Sequence, residues 1–398
     1  MKKILKIKYL TMACFLFFVT TMCLLTIFPF YMGAKRMALI WLNTGKLDIS
    51  VVETMYSEEF TGKYHFITAN GAVQRLMGAR VVNERYKLDN GHLTYTVPKE
   101  DVDGFAENTV ALRDVLKERG IPFLYVNAPF KIHEEDKQLP VGVEDYSNEN
   151  ADAFLSFIEE QNVEVLDLRD CIADEGLDHY SLFYKTDHHW KAETGLWATG
   201  IISDRLAQIS SSFAVNSDLW NPANYSFDVY EDAFLGSSGV RVGEVYAGRD
   251  DMTLITPNFK TELTFSVDSE DIYREGTFSE AFLFRDNLIS ENMLESTGYA
   301  VYGNGIHDII KIRNYGTEID GAFQPKKILM ISDSFGNVVT PFLSLAFEQT
   351  HVLDMRMFEG NLMDYIDDYD PDVVLIIYNP GAYSDNNKDM FDFLNELS

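Results

Sequence analysis

Two short stretches of the sequence combine side chains that can together activate a hydroxyl group. One is the Ser-Asp-Ser-Phe-Gly segment 332–336, which directly follows an apolar run, and the other is the Thr-Asp-His-His-Trp segment 186–190. A serine becomes a nucleophile when a histidine removes its proton and a carboxylate holds that histidine in the correct tautomer. The stretches therefore predict a triad of Ser334, His189 and Asp187, provided that the second stretch turns tightly.

Each stretch also has simpler interpretations. A serine before a helix, such as Ser334, most often caps the helix N-terminus, and Thr186 or Asp187 can do the same. Aspartate and histidine are also metal ligands, and a metal site in segment 186–190 would take a further ligand from His179 or Asp178. The triad is favoured because the two stretches complement each other chemically, whereas each stretch alone is ambiguous.

Strand and helix patterns alternate around both stretches. Apolar runs typical of buried strands cover 121–126, 163–168, 327–331, 352–355 and 373–378. Helical spacing of apolar residues predicts helices from 101 to Gly120, at 151–158, 198–209, 338–347 and 363–366, and at the C-terminus. The alternation predicts an α/β fold with three layers, in which helices cover both faces of a parallel sheet. Sites in such sheets form at the carboxyl ends of strands.

Two segments lie outside this alternation. Residues 35–100 are predicted to form a linker that ends in a hairpin, with strands 85–88 and 92–97 on either side of an Asp-Asn-Gly turn. Residues 212–300 are rich in glycine, serine and aromatic residues. This composition predicts a mainly β insertion within a catalytic domain that covers 101–398.

The N-terminus has the pattern of a membrane anchor. Four lysines lie among the first eight residues, and the uncharged run 9–34 follows them. As a helix this run would be about 39 Å long, enough to cross a bilayer, with a kink or an end near Pro29. The lysines favour a cytoplasmic N-terminus at 1–8, a signal-anchor helix at 9–34 and an extracytoplasmic remainder. A cleaved signal peptide is the alternative, and it also places the remainder outside.

Composition narrows the function classes. The chain has 398 residues, of which 46% are hydrophobic and 24% charged, as expected of a globular protein and not of a polytopic transporter or a disordered chain. Its 62 acidic and 33 basic residues give a net charge of −29, which disfavours nucleic acid as a partner. The three cysteines, Cys14, Cys23 and Cys171, do not form a disulfide framework.

These motifs resemble a known group of proteins. Segment 186–190 carries the Asp-His-His-Trp signature that names the DHHW family, and segment 331–336 resembles the Gly-Asp-Ser block of SGNH hydrolases, with Ser332 in place of the glycine. The order, with Asp-x-His before Ser, is similar to the alginate O-acetylation proteins, in which the SGNH blocks are circularly permuted. The resemblance extends over about 110–398 and includes segments 125–131 and 234–243.

The resemblance implies a role for each matching residue. Ser334 would be the nucleophile, His189 the base and Asp187 the group that orients the base. The oxyanion would be bound by the backbone N–H of Ser334 together with the Asn379 side chain or Gly236, with Ser237 as a competitor. Candidates for substrate contact are His188, Trp190, Tyr184, Lys131 and Arg356.

Two of these candidates have alternative interpretations. Arg356 can pair with Asp354 or Glu359 instead of a substrate, and Lys131 can be a solvated loop lysine. The missing Gly-x-Asn-Asp block of the SGNH hydrolases leaves the second oxyanion donor open.

The expected function is O-acetylation of a cell-surface or exported polysaccharide through an acetyl-serine intermediate, without a cofactor. The resemblance implies a membrane-bound O-acyltransferase partner that supplies acetyl groups across the bilayer. One alternative is a carbohydrate acetylesterase, in which water replaces the sugar hydroxyl. Another is a non-catalytic, membrane-anchored glycan-binding or scaffold protein.

Overall fold

The structure, a computed structural model, describes residues 2–47, 49–51, 62–134, 137–288 and 298–394. It divides into two compact units, Met1–Val73 and Gln74–Ser398, so the predicted hairpin belongs to the same unit as the α/β domain.

The first unit contains the helix Lys2–Thr44. Its segment Lys8–Thr44, with a mean hydropathy of 2.2, is long and apolar enough to cross a membrane, a property that signal sequences share. The helix includes the uncharged run 9–34 and does not end at Pro29. A proline removes one backbone hydrogen bond from a helix, but the residues before and after it keep their own backbone hydrogen bonds. The helix therefore continues past Pro29.

A mixed sheet organises the second unit. Among the described residues it has eight strands in the order β5-β4-β13-β11-β12-β10-β8-β9, and two smaller sheets have the orders β1-β2-β3 and β6-β7. The strands are β1 (Val81–Val82), β2 (Arg85–Lys87), β3 (Leu93–Thr94), β4 (Phe123–Asn127), β5 (Val165–Asp167), β6 (Tyr225–Phe234), β7 (Asp250–Pro257), β8 (Thr261–Val267), β9 (Ile272–Gly276), β10 (Ile309–Thr317), β11 (Gln324–Ser332), β12 (Phe347–Leu353) and β13 (Val373–Tyr378).

Both faces of this sheet are buried, which gives the predicted three layers. The α-helices of the second unit include Asp103–Glu118, Ser147–Glu160, Leu168–Asp174, Ala192–Ile209, Ser237–Val242, Phe278–Phe282, Thr340–Leu343 and Leu362–Tyr369. Alternate residues of β13 enter two different hydrophobic clusters, Val373, Leu375 and Ile377 in one and Val374, Ile376 and Tyr378 in the other. This alternation follows from the two-residue period of a strand. The five strands β5, β4, β13, β11 and β12 run parallel, and the predicted α/β fold is confirmed.

The insertion differs from the expectation in how it joins the domain. Its strands β8 and β9 extend the main sheet through β10, and these three strands run antiparallel to their neighbours. The sheet is therefore mixed, and β10 lies in a segment for which the sequence pattern predicted no strand. The hairpin forms as predicted, with Tyr86 opposite Thr94 and Gly91 at a φ of +89° in the turn.

Two predicted helices are shorter or of another type. The helix expected at 338–347 is a 3₁₀ turn, Ser334–Val338, followed by the single α-turn Thr340–Leu343, because Pro341 is tolerated only in the first turn of a helix. The C-terminal helix is the 3₁₀ segment Asp385–Phe391, which Asn387 interrupts with a non-helical φ of −116°.

Candidate active site

Ser334 lies directly beyond the carboxyl end of β11. Asp333 caps the 3₁₀ turn Ser334–Val338, and its carboxylate accepts a hydrogen bond from the Phe335 N–H at 2.8 Å. The Ser332 hydroxyl donates to the carbonyl of Asp333 at 2.7 Å. A Cβ at Gly336 would collide with that hydroxyl, so the serine that replaces the family's glycine is accommodated by a glycine four residues later. Ser334 is therefore presented by the turn, whereas Asp333 performs the capping.

His189 and Asp187 lie in a tightly turned loop. Phe183 and Trp190 form an antiparallel bridge across it, and the indole N–H of Trp190 donates to the carbonyl of Phe335 at 3.0 Å. This bond joins the loop to the turn that carries Ser334, although 145 residues separate Trp190 from Phe335 in sequence. The loop thus has the tight turn that the triad requires.

The three predicted residues form a continuous chain of hydrogen bonds. The Ser334 hydroxyl lies 2.6 Å from His189 Nε2, and His189 Nδ1 lies 2.5 Å from Asp187 Oδ1. The same Asp187 oxygen accepts the backbone N–H of His189 at 2.9 Å. With Nδ1 protonated and bonded to the carboxylate, Nε2 is free to accept the serine proton, as general-base activation requires.

Asp187 is buried but remains ionised. Its second oxygen accepts the backbone N–H of Ser237 at 2.5 Å. Burial opposes ionisation, but the electrostatic interactions with His189 and His188 and the hydrogen bonds from His189 outweigh it and hold the pKa of Asp187 well below its usual value. A carboxylate in this state can stabilise the imidazolium that forms during catalysis.

The loop that carries Asp187 and His189 is held by two buried side chains, those of Asp250 and Lys131. Asp250, at the start of β7, accepts the backbone N–H groups of Lys185 and Thr186, both at 2.7 Å. Lys131 is fully buried, and its Nζ lies within hydrogen-bond distance of four carbonyl oxygens, those of Leu93, Tyr184, Lys185 and Asp187. Burial lowers the pKa of Lys131 to about 7, against the attraction of Asp250 and Asp187. Lys131 therefore supports the loop and cannot contact a substrate.

Gly236 is a close neighbour of the triad aspartate. A Cβ at this position would lie 2.6 Å from Asp187 Oδ2, closer than van der Waals contact allows. We expect Gly236→Ala to displace the carboxylate and to lower turnover of an acetyl ester about 10²-fold, since a misplacement of ~1 Å can have that effect. The matched control is Gly104→Ala, because no heavy atom lies within 4 Å of the added Cβ. Equal turnover by the two variants would contradict the tight contact with Asp187.

The two proposed second oxyanion donors differ from each other in the structure. The Gly236 N–H donates to the Thr186 hydroxyl at 2.8 Å and is therefore engaged elsewhere. The Asn379 side chain donates to Asp333 at 2.6 Å, but a side-chain amide has two N–H groups, so Asn379 stays a candidate donor. The Ser334 N–H is the first in its turn, where a backbone donor has no partner within the turn, and it also stays a candidate donor.

Three other predicted substrate contacts are engaged within the protein. Trp190 is fully buried and bonded to Phe335. Tyr184 is also buried, with its hydroxyl 3.1 Å from the sulfur of Met252. The Arg356 guanidinium pairs with both oxygens of Asp354, so the alternative interpretation of this arginine holds.

His188 is partly accessible, since 24% of its side chain is exposed. Its Nδ1 lies 3.2 Å from the Ser237 hydroxyl. Burial and the neighbouring His189 lower the pKa of His188 to about 3, so the ring is neutral near pH 7. Among the predicted substrate contacts, His188 and Arg356 keep accessible side-chain surface, and the Arg356 guanidinium is paired with both oxygens of Asp354.

Metal binding at the same loop has a geometric basis. Ligand atoms of Asp187, His188 and His189 lie within 4.8 Å of one another. However, both ring nitrogens of His189 already take part in hydrogen bonds, to Asp187 and Ser334. His179, the proposed further ligand, has its Nε2 3.2 Å from the carbonyl of Lys131. The hydrogen bonds therefore favour the triad over the metal site.

Two residues that support the site, Tyr299 and Asp250, carried no signal in the sequence, and a third, Ser237, has a role other than the one predicted. The ring of Tyr299 stacks on His189 with centroids 3.9 Å apart and an angle of 11° between the planes. Ser237 and Asp250 act through long-range hydrogen bonds to the loop. Tyr299 and Asp250 belong to no recognisable motif, whereas Ser237 lies in segment 234–243 and was predicted as a competing oxyanion donor. The fold brings all three to the loop from more than 45 residues away.

Comparisons with known proteins agree with this geometry. Residues 94–212 match the family described as an SGNH hydrolase-like domain, acetyltransferase AlgX. This match includes Asp187 and His189 and ends before Ser334. No curated protein sequence matches the chain significantly.

Solved structures extend the comparison to most of the chain. PatB1 from Bacillus cereus superposes with a TM-score of 0.63 and 22% identity, covering 78% of this chain and 99% of PatB1. A DHHW family protein from Eubacterium siraeum has a TM-score of 0.59 and 18% identity, covering 79% of this chain and 97% of that protein. The predicted resemblance to the SGNH and DHHW proteins is thus confirmed, and the chain has an SGNH hydrolase-like fold.

Proposed function

We propose that the protein is an extracytoplasmic O-acetyltransferase that acetylates a cell-surface or exported polysaccharide. The observation that carries the proposal is the chain of hydrogen bonds from Ser334 through His189 to Asp187, with contacts of 2.6 and 2.5 Å. The match of residues 94–212 to a domain described as an acetyltransferase supports acetyl transfer as the chemistry.

The reaction would proceed in two balanced steps. In the first, His189 Nε2 takes the proton of Ser334, and Oγ attacks the acetyl carbonyl of the donor. The Ser334 N–H stabilises the resulting oxyanion, and the leaving group departs with the proton from His189, which leaves acetyl-Ser334. In the second, His189 takes the proton of a sugar hydroxyl, the sugar oxygen attacks the acetyl group, and Ser334 regains its proton.

The N-terminal helix supports a location at the membrane. A signal-anchor helix within Lys8–Thr44 would place the second unit outside the cytoplasm, where acetyl-CoA is absent. A membrane-bound O-acyltransferase that passes acetyl groups across the bilayer would then be the partner that acylates Ser334.

The test uses the purified full-length protein in detergent with p-nitrophenyl acetate as donor and a panel of oligosaccharides as acceptors. We expect O-acetylated oligosaccharide, detected by mass spectrometry, and the same yield in the presence of EDTA. Free acetate without acetylated sugar would indicate the acetylesterase, and a yield abolished by EDTA would indicate the metal site. Binding of an oligosaccharide without release of p-nitrophenol would favour the non-catalytic scaffold.

A further inference from the structure

Two arginines beside the candidate site lack a carboxylate partner. Eight arginines of the second unit form ion pairs with aspartate or glutamate. Within the described ranges, the structure records no such pair for Arg85 or Arg241. The chain has a net charge of −29, so carboxylates are abundant. Arg75, Arg274 and Arg285 also have no such pair among the described residues, and Arg85 and Arg241 are distinguished by their connections to the candidate site.

Arg85 lies close to the triad through a series of ring contacts. Its Cζ is 5.6 Å from the centroid of the Tyr95 ring, which meets the His188 ring edge-on at 5.6 Å. The His188 ring in turn lies 3.8 Å from the ring of His189. One guanidinium nitrogen of Arg85 donates to the carbonyl of Glu84 at 2.9 Å, while its buried Nε has no partner among the described residues. Arg85 is thus connected to the triad through the rings of Tyr95 and His188, and it has unused hydrogen-bonding capacity.

Arg241 lies on a helix that is bonded both to the triad and to the turn before β2. It is an exposed residue of the helix Ser237–Val242, whose first N–H donates to Asp187. Its carbonyl accepts the side-chain N–H of Asn83 at 2.8 Å, in the turn that precedes β2 and Arg85. The two arginines therefore lie on segments that are connected to each other and to the triad.

The positive charges of Arg85 and Arg241 repel each other. Burial and the positive charge of Arg241 both lower the pKa of Arg85, against the attraction of Tyr95, Glu84 and Asp187. Like charges at short range repel, and the repulsion is relieved when an anion binds between them. Guanidinium groups bind carboxylate and phosphate oxygens through paired, charge-assisted hydrogen bonds.

We infer that Arg85 and Arg241 form an anion subsite, which binds a carboxylate or phosphate group of the acceptor glycan near the hydroxyl that is acetylated. The role as acceptor subsite rests on the proposed function. A protein as acidic as this one repels an anionic polymer at long range, so a local pair of unpaired cations provides the attraction that such a substrate needs. Arg356, which is paired with Asp354, does not provide it.

The subsite is tested by binding, in the full-length protein with Ser334→Ala so that no acetyl transfer occurs. The probes are trigalacturonate, which carries carboxylates, a glycerol phosphate trimer, which carries phosphates, and neutral maltotriose. At low salt we expect at least one anionic probe to bind about tenfold more tightly than maltotriose, and its advantage to shrink at high salt. Arg85→Gln and Arg241→Gln should each weaken that binding about tenfold, since a charged hydrogen bond contributes that much.

Arg313→Gln is the matched control, because Arg313 is exposed and paired with Glu348 and should bind the probes like the parent. Arg241→Gln changes an exposed side chain, so it tests the subsite even where Arg85→Gln affects folding, which thermal melts report. Equal binding of all three probes, or no loss in the Arg241 variant, overturns the inference. If the anionic probes bind selectively but the parent protein, with Ser334 intact, transfers no acetyl group to any acceptor, the proposed function is refuted and the anion subsite is retained.

Discussion

Replacing Ser334 by alanine is expected to reduce glycan acetylation to background in cells that carry the full-length protein. The hydroxyl is the group that His189 Nε2 faces at 2.6 Å, and loss of a triad serine lowers kcat by about 10⁶-fold in a comparable enzyme. Release of acetate from the isolated glycan by mild alkali measures the effect. Folding should be retained, because the substitution removes a single oxygen atom and keeps the Cβ.

The matched control is Ser332→Ala. The Ser332 hydroxyl donates to the carbonyl of Asp333 and not to His189, so this variant should acetylate the glycan at close to the parent level. An increase in acetylation by Ser334→Ala would indicate an esterase. Unchanged acetylation in that variant would refute Ser334 as the nucleophile.

Replacing Asp187 by asparagine is expected to lower the rate of acetyl transfer about 10³–10⁴-fold. An amide at this position donates to Nδ1 where the carboxylate accepts, which favours the wrong tautomer of His189 and leaves Nε2 unable to take the serine proton. Turnover of p-nitrophenyl acetate reports the loss. Asp178→Asn is the control, because Asp178 serves in the metal alternative and not in the triad. If Asp178→Asn lost as much activity as Asp187→Asn, the metal site would be favoured.

Asp187→Asn is also expected to lower the free energy of unfolding in a way that depends on pH. The pKa of Asp187 is held below its usual value in the folded state, so ionised Asp187 stabilises the fold above the unfolded pKa of about 3.9. This contribution is lost as the pH falls below that value and through the folded pKa. The free energy of unfolding of Asp187→Asn should therefore lie below that of the parent at pH 7, with a difference that shrinks under acid conditions. A difference that does not depend on pH would contradict the depressed pKa.

The parts of the fold that depend on local pattern were predictable from the sequence. The strand 373–378 is found at Val373–Tyr378, because a continuous apolar run is typical of a central strand buried on both faces. The pairing of β8, β9 and β10 was not predictable, since their alternating pattern is compatible with a separate sheet and with an extension of the main one. Pairing partners that are distant in sequence determine which of these forms.

At the candidate site, too, local contacts were predictable from the sequence and contacts between distant segments were not. The contact of Asp187 with His189 is a local property of a tight loop and was predictable from spacing. Lys131 was predicted to meet substrate or solvent, because a lysine next to a Pro-Phe dipeptide has no local sign of burial. Its four carbonyl partners come from the β-hairpin and the triad loop, which meet only in the folded chain. Trp190 likewise acts as a buried support through its bond to Phe335.

The most direct test of Ser334 as the nucleophile is to identify the residue that becomes acetylated. The full-length protein is mixed with p-nitrophenyl acetate in the absence of acceptor, quenched in acid, digested and analysed by tandem mass spectrometry. We expect one acetyl group on the peptide that contains Ser334. This acetyl group should disappear when an acceptor oligosaccharide is added before the quench, and it should be absent from His189→Ala. Turnover with acetyl on another residue, or with no acylated peptide at any time, would contradict Ser334 as the nucleophile.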